Sequence, residues 1–377
     1  MKRTTLNKSM DAAKHPILLE TAAQLHEAEK SWNGNRLLGI DTEFVRERTY
    51  RAELGLVQVS DGETAWLVDP VKLDSLEPLH RLLSNPDIVK ILHSGSEDLE
   101  VLLNTVGALP SPLVDTQVAC ALLGQPLQMG YHTTVQWLFE IEVDKEQTRS
   151  NWCRRPLTES QLHYAAMDVV LLPEMYETLK ASLEEKNRWT WLEEEATRAQ
   201  QNTCRTTDPE DAYQRIAGAG RLDQDSLRAL RSLAAWREVT AQDKNLARGF
   251  VISDTGLMNL VRAMPASARD ARNIEGIHPK ALDRYAAKLL DLIATAQSDP
   301  TPAEIPEPLN SAQRKQLADM RNLVQKKASA LEVEPALLAS RKELERLIRA
   351  LAAGQEIPER FSGWRKAAFT NELLSNV

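Results

Sequence analysis

The apolar run Leu37-Leu38-Gly39-Ile40 ends in two carboxylates one residue apart, Asp41 and Glu43. Such a run reads as a strand, and residues i and i+2 of a strand point to one side. The two acids therefore share a face at the rim of a sheet, where they repel each other unless a cation lies between them. Oxygen ligands at that spacing suit hard divalent ions such as Mg²⁺ or Mn²⁺. The acid-x-acid step recurs at Asp98 and Glu100, at Glu140 and Glu142, and at Glu332 and Glu334. The step alone defines nothing; its setting must.

The chain has 377 residues, room for two or three domains, and its 42% hydrophobic and 27% charged content is that of a soluble globular protein. No apolar run approaches the roughly 20 residues of a membrane helix. The polar, basic first residues lack the apolar stretch of a secretory signal. Cys120, Cys153 and Cys204 are scattered with no C-x-x-C spacing, which argues against a disulfide framework or a zinc site and fits a reducing cytoplasm. The net charge of −8 hides an asymmetry: residues 1–200 carry 20 Lys+Arg against 31 Asp+Glu, and residues 201–377 carry 26 against 23. An acidic half joined to a mildly basic one suits a metal-dependent core with an appendage for a polyanion; chance fluctuation is the alternative.

The N-terminal half alternates strand and helix patterns. A short strand is expected over 16–20, a helix over 21–32 capped by Thr21, and the acid-bearing strand over 37–45. Apolar segments 56–59 and 65–68 flank Asp61-Gly62, a hairpin signal. A helix over 76–83, a strand over 88–92 and a helix over 94–106 follow, and helical patterns dominate from there to residue 179. These units imply a mixed sheet flanked by helices. Beyond residue 205 the pattern is helical throughout, with helices over 227–239, 256–264, 282–293, 311–331 and 335–351. A proline-rich stretch over 299–310 separates two blocks. At an ungapped offset of 84 residues Leu233 aligns with Leu317, Trp236 with Met320, Arg237 with Arg321, and Leu260 with Leu344, which suggests two copies of a small helical domain. The expected division is 1–205, 206–298, the linker 299–310, and 311–377.

Two further carboxylates are candidates to complete the site. Asp98 falls in the first turn of a helix just after a strand, with Ser94 and Glu97 at capping-box spacing; stabilising the helix dipole is the structural alternative. Asp168 lies in a helix that starts at Thr158, with Gln161 as its capping partner. Tyr164 and Asp168 are i and i+4, one above the other, and Ala165 and Ala166 leave space for a neighbouring element. An Asp followed by Val169-Val170-Leu171-Leu172 needs a partner in such apolar surroundings.

In their order and wording these residues resemble the DEDD superfamily of 3′→5′ exonucleases, and within it the ribonuclease D family. The resemblance rests on Ile40-Asp41-Thr42-Glu43-Phe44-Val45-Arg46, on Leu92-His93-Ser94-Gly95-Ser96-Glu97-Asp98-Leu99, and on Arg155-Pro156-Leu157-Thr158 leading to Tyr164-Ala165-Ala166-Met167-Asp168-Val169. The tail resembles two helicase-and-RNase-D C-terminal (HRDC) domains, so the likeness spans nearly the whole chain. It implies a ribonuclease H-like α/β exonuclease domain followed by two all-α domains. One branch of the superfamily places His five residues before the last Asp and the other places Tyr four before it; His163 and Tyr164 satisfy both. At about 100° per residue Tyr164 is about 40° from Asp168 around the helix and His163 about 140°, which favours Tyr164, as does the family resemblance.

The resemblance implies hydrolysis at RNA 3′ ends, with tRNA precursors as substrates, by a monomer without membrane attachment. Two divalent ions (Mg²⁺ or Mn²⁺) would stabilise the attacking and leaving oxygens. Asp41 would bridge them, Glu43 and Asp168 would complete the first, Asp98 would serve the second, and Tyr164 would position water. The alternatives are a DNA-directed 3′→5′ exonuclease and an inactive nucleic-acid-binding scaffold. His93, Arg154, Arg155 and Arg237 are substrate-contact candidates, as are Arg46, Arg48 and Arg51; a satisfied core histidine and surface ion pairs are the competing readings. The alternation of Glu140, Glu142, Asp144 and Glu146 with Ile141 and Val143 reads as a strand with a solvated acidic face, not a second metal site. Asp115 reads as a helix cap.

Overall fold

The structure, a computed structural model, describes residues 2–143, 150–206, 208–298, 301, 303–305 and 307–375. It divides into two compact units, one made of Met1–Val45, Leu54–Cys204 and Leu309–Val377, the other of Arg46–Glu53 and Arg205–Pro308.

The first unit is built on a mixed sheet of six strands: β1 (Ile17–Leu19), β2 (Leu37–Val45), β3 (Glu53–Ser60), β4 (Ala65–Val68), β5 (Val89–Leu92) and β6 (Leu113–Asp115). Their order is β1-β4-β3-β2-β5-β6. The Asp61-Gly62 hairpin joins β3 to antiparallel β4. Asp61 Oδ1 accepts the amides of Glu63 and Thr64, and Gly62 takes the left-handed φ of 91° that the turn requires. Strands β2, β5 and β6 run parallel, and the last β2 residue paired to β5 is Gly39, opposite Ile91. Asp41 and Glu43 thus lie just beyond the carboxyl end of a parallel pair, where α/β sheets present their ligand sites.

The helix expected from Thr158 runs Glu159–Val170, with Thr158 and Gln161 forming the capping box. Ala165 and Ala166 are fully buried, which lets this helix lie close to the sheet. Thr21 likewise caps helix Ala22–Trp32. Two local expectations fail, and two elements appear that the sequence does not predict. The helix carrying Asp98 spans Ser96–Thr105 with Gly95 as its cap and no side-chain cap bond, because Ser94 sits at φ 63° in a turn instead. No strand forms over 140–143, where Glu140 ends helix Tyr131–Phe139 in the left-handed conformation; Asp144 and Glu146 lie outside the described residues. Helix Lys2–Ala12 and strand β6 were not expected at all.

The C-terminal helices Ser311–Leu331, Pro335–Leu338 and Arg341–Ala352 belong to the same unit and share its core. Leu122, Leu183 and Leu192 of the nuclease side join Leu317, Val324, Leu338, Leu347 and Trp364 in one apolar cluster. Polar pins reinforce the joint. Arg188 donates to the carbonyls of Leu122 (2.6 Å) and Leu331 (2.7 Å). Glu195 accepts from Arg365, Arg360 and the Trp364 indole, and Trp191 stacks on Trp364 at 4.4 Å.

The second unit has a core of its own around helices Gln224–Asp243, Asp254–Ala263 and Pro279–Ser298, with Leu230, Leu233, Leu257, Leu260, Leu289 and Ile293 inside. Parts of the expected linker (Asp299, Pro300, Pro302, Pro306) lie outside the described residues.

Candidate metal centre

Asp41, Glu43 and Asp168 each offer a carboxylate oxygen, and the three lie within 4.8 Å of one another. The strand supplies the first two on one face; the capped helix supplies the third, one turn beyond Tyr164. Asp98 stands outside this trio. Its carboxylate accepts the hydroxyl of Thr42, the residue between Asp41 and Glu43, and it is buried. Three of the four expected acids therefore meet at ligand distance, and the fourth is tied to the same strand.

The electrostatics follow from packing like charges in a recess. Burial first, then the charges of Asp98, Asp168 and Glu43, hold Asp41 well above the usual carboxylate range. Glu43 is pushed up to about 9 by burial and by Asp168 and Asp98. Asp168 rises to about 7 through burial, although the Tyr164 hydroxyl bonded to it works the other way. Asp98 rises to about 6 by burial, against the Thr42 hydrogen bond. The charged side chains acting on Asp41 and Glu43 are all acids. A hard-oxygen trio with this unrelieved negative charge is the donor set a divalent cation requires.

Tyr164 is held above its ordinary pKa by burial and by Asp168, Glu43 and Asp41, so it stays protonated and donates to Asp168. Its ring packs against Trp152 at 6.1 Å. His163 turns away: its Nδ1 donates to the carbonyl of Ala13 at 2.9 Å, beside the N-terminal helix. The helix thus presents Tyr164, not His163, to the acids.

Other candidates are spoken for. Arg155 clamps Asp69 with two bonds (2.5 and 2.6 Å) and donates to the carbonyls of Trp152 and Gly55, which fixes Trp152 against β3. That commitment corrects its reading as a phosphate contact. Arg237 is corrected likewise, being buried with its guanidinium on Asp254 (2.7 Å) and the Ile252 carbonyl. His93 donates from Nε2 to the Met129 carbonyl (2.9 Å), and its Nδ1 meets Thr116 (2.8 Å), the satisfied histidine of the competing reading. Arg154 is exposed.

Two supporting residues escaped the sequence reading. Asp115 caps helix Thr116–Leu122 as expected, but it also accepts the amides of Ser94 (3.0 Å) and Gly95 (2.9 Å), shaping the turn that presents Asp98. Tyr131 donates to the Met167 carbonyl at 2.6 Å and steadies the helix at the residue before Asp168. Neither is signalled locally, since both act across 20 or more residues of chain.

Residues 16–184 match the 3′-5′ exonuclease domain family, residues 226–293 the HRDC domain, and residues 312–373 the ribonuclease D C-terminal HRDC domain. Fold and matches together define the class: a 3′-5′ exonuclease followed by two HRDC domains. Ribonuclease D of Pseudomonas paraeruginosa is 38% identical over 358 residues, 94% of this chain and 95% of the relative. That of Escherichia coli is 34% identical over 366 residues, 95% and 96% of the two chains. The crystal structure of E. coli RNase D, described as an exoribonuclease involved in structured RNA processing, superposes with a TM-score of 0.88 at 32% identity, over 96% of this chain and 98% of that one. The chain belongs to the ribonuclease D family.

Proposed function

We propose that this chain trims RNA 3′ ends, those of tRNA precursors among them, releasing nucleoside 5′-monophosphates by hydrolysis that depends on two divalent metal ions. The observation that carries the reading is the meeting of Asp41, Glu43 and Asp168 within 4.8 Å. The likeness to an E. coli enzyme described as acting in structured RNA processing supports an RNA substrate.

Asp41, Glu43 and Asp168 would hold one ion, and Asp41 with Asp98 the other. Bound there, the ions supply Lewis-acid activation of water and charge neutralisation on the scissile phosphate. The protein does the rest. Tyr164 keeps its proton, so it orients water as a hydrogen-bond donor or acceptor and does not act as the base. Thr42 holds the Asp98 carboxylate in one orientation, and Trp152 backs the Tyr164 ring.

The test is Mg²⁺-dependent hydrolysis of a 3′-labelled structured RNA beside single-stranded DNA. RNA is expected to be consumed and DNA spared. Asp41→Ala or Asp168→Ala removes hydrolysis while circular dichroism stays native; full activity in either variant sinks the assignment. In single-turnover assays Tyr164→Phe is expected to lose far more than His163→Ala, and the reverse order overturns the role given to Tyr164.

A further inference from the structure

Three residues after Glu43 the chain leaves the nuclease unit. Residues Arg46–Glu53, which connect β2 to β3, pack as part of the other unit. This arm is held tightly. The Ala247 amide donates to the Arg48 carbonyl (2.8 Å), and the Arg51 amide donates to Asn245 Oδ1 (3.0 Å). Tyr50 donates to Glu238 (2.5 Å) and accepts from Gln242 (3.1 Å) and Arg248 (3.1 Å). The Arg248 guanidinium stacks over the Tyr50 ring at 4.8 Å and pairs with Glu238.

What this clasp presents is unusual. Phe250, one turn from the Ala247 that bonds Arg48, is 60% exposed. A side chain built on the neighbouring Gly249 would meet nothing within 4 Å beyond its chain neighbours, so that position is open as well. Arg48 and Arg51 are exposed on the docked arm. The arm carries Arg46, Arg48 and Arg51 against Glu47 and Glu53, and Glu238 already neutralises Arg248. A single exposed aromatic ring, on a turn bonded through its backbone to an arm that carries exposed arginines, offers little apolar area to a protein. It fits a nucleobase, since every base has a face to stack, with phosphates on either side for the arginines.

Resting on the exoribonuclease reading above, we propose that Phe250, Arg48 and Arg51 form a stacking and phosphate-binding strip for the single-stranded RNA segment on the 5′ side of the linkage being cut. Connectivity sets the reach. Arg48 is five residues beyond Glu43, so its backbone lies within roughly 17 Å of that metal ligand. The strip takes the nucleotides that follow the terminal one, and a dinucleotide is too short to use it.

The experiment compares hydrolysis of a dinucleotide with that of a single-stranded RNA of about ten nucleotides. Phe250→Ala is expected to raise KM for the longer RNA by roughly 5- to 100-fold, the range of one lost base–aromatic stack, with kcat and dinucleotide hydrolysis unchanged. Phe250→Trp keeps the stack and restores KM. Arg48→Ala and Arg51→Ala each flatten the log–log salt dependence of binding by roughly 0.7, one phosphate on a single strand. Equal losses on both substrates, or no change on the longer one, overturn the strip. Fluorescence anisotropy with the longer RNA, in an Asp41→Ala background, separates the two readings. Tight binding that Phe250→Ala weakens, beside a wild type that hydrolyses no RNA, sinks the catalytic reading alone. Unchanged binding in Phe250→Ala sinks the strip alone.

Discussion

The two helical regions look alike in sequence and are held together differently. Among the described residues, the one at Ser311–Ala352 and beyond shares its core with the nuclease: its leucines complete a cluster that includes Leu122 and Leu192, and Glu195 and Arg188 pin it there. The one at Arg205–Pro308 closes around its own leucines. Aligned positions show the divergence. Leu233 and Leu317 are both buried, and so are Leu260 and Leu344, but Arg237 is buried and paired with Asp254 while its counterpart Arg321 is exposed. A shared pattern of apolar faces therefore says that a helix will be covered and leaves open by what.

The sharpest way to break this contrast is deletion. Removing residues 309–377 bares the apolar surface of the nuclease side, and the remaining nuclease unit is expected to lose its cooperative thermal transition in calorimetry. A fragment of residues 205–308 is expected to keep one. A cooperative, soluble nuclease without residues 309–377 refutes the shared core.

Glu195→Ala comes next. It leaves the buried Arg365 without its carboxylate, a change that costs about 3–5 kcal/mol, and it should shift only the nuclease transition. The pH dependence has a defined sign. Burial pushes the Glu195 carboxyl up, but the hydrogen bond and charge of Arg365, with Arg360 and Trp364, outweigh it and leave it at about 2. Its contribution is present above the unfolded value of roughly 4.3 and fades as pH falls towards 2.

The metal centre runs in the opposite direction. Glu43 at about 9 and Asp168 at about 7 stand above their unfolded values. Their contribution is present below pH of roughly 4 and is lost as pH rises through 7 to 9. Mg²⁺ should therefore raise the melting temperature of the nuclease unit more at pH 8.5 than at pH 6 and leave the transition of the other unit unmoved. Equal shifts at both pH values argue against metal binding by these acids.

Tyr50→Phe is the smallest change. It removes one hydroxyl from the Glu238–Arg248 network and should cost about 1 kcal/mol. The loss should appear in the 205–308 transition alone.

The acid-bearing strand, the Asp61-Gly62 hairpin and the Thr158 cap were legible because each is written within a few residues. Helix geometry likewise accounts for Tyr164 facing Asp168 while His163 bonds Ala13. Strand β6 was missed because three residues, Leu113–Asp115, give no periodicity to read. The Ser94–Glu97 capping box failed because Asp115, 20 residues away, captures the turn first. Arg155 and Arg237 look identical in sequence to arginines that meet phosphate; only burial beside Asp69 and Asp254 distinguishes them. The acids at 41, 43 and 168 carried their chemistry in type and order, and their approach depended on a helix that Ala165 and Ala166 let settle on the sheet.

Arg188 gives the joint between nuclease and tail a temporal meaning. One arm of its guanidinium is satisfied by Leu122, made early, and the other by Leu331, made late. During synthesis the chain emerges from its N-terminal end and folds unit by unit. The nuclease layer must therefore wait, with an apolar face uncovered and Arg188 half-bonded, while the intervening helical body is made and closes by itself. A chain without residues 309–377 would lack the residues that complete this apolar cluster and the carbonyl that takes the second arm of Arg188. Completion of the nuclease core therefore depends on the last segment of the chain.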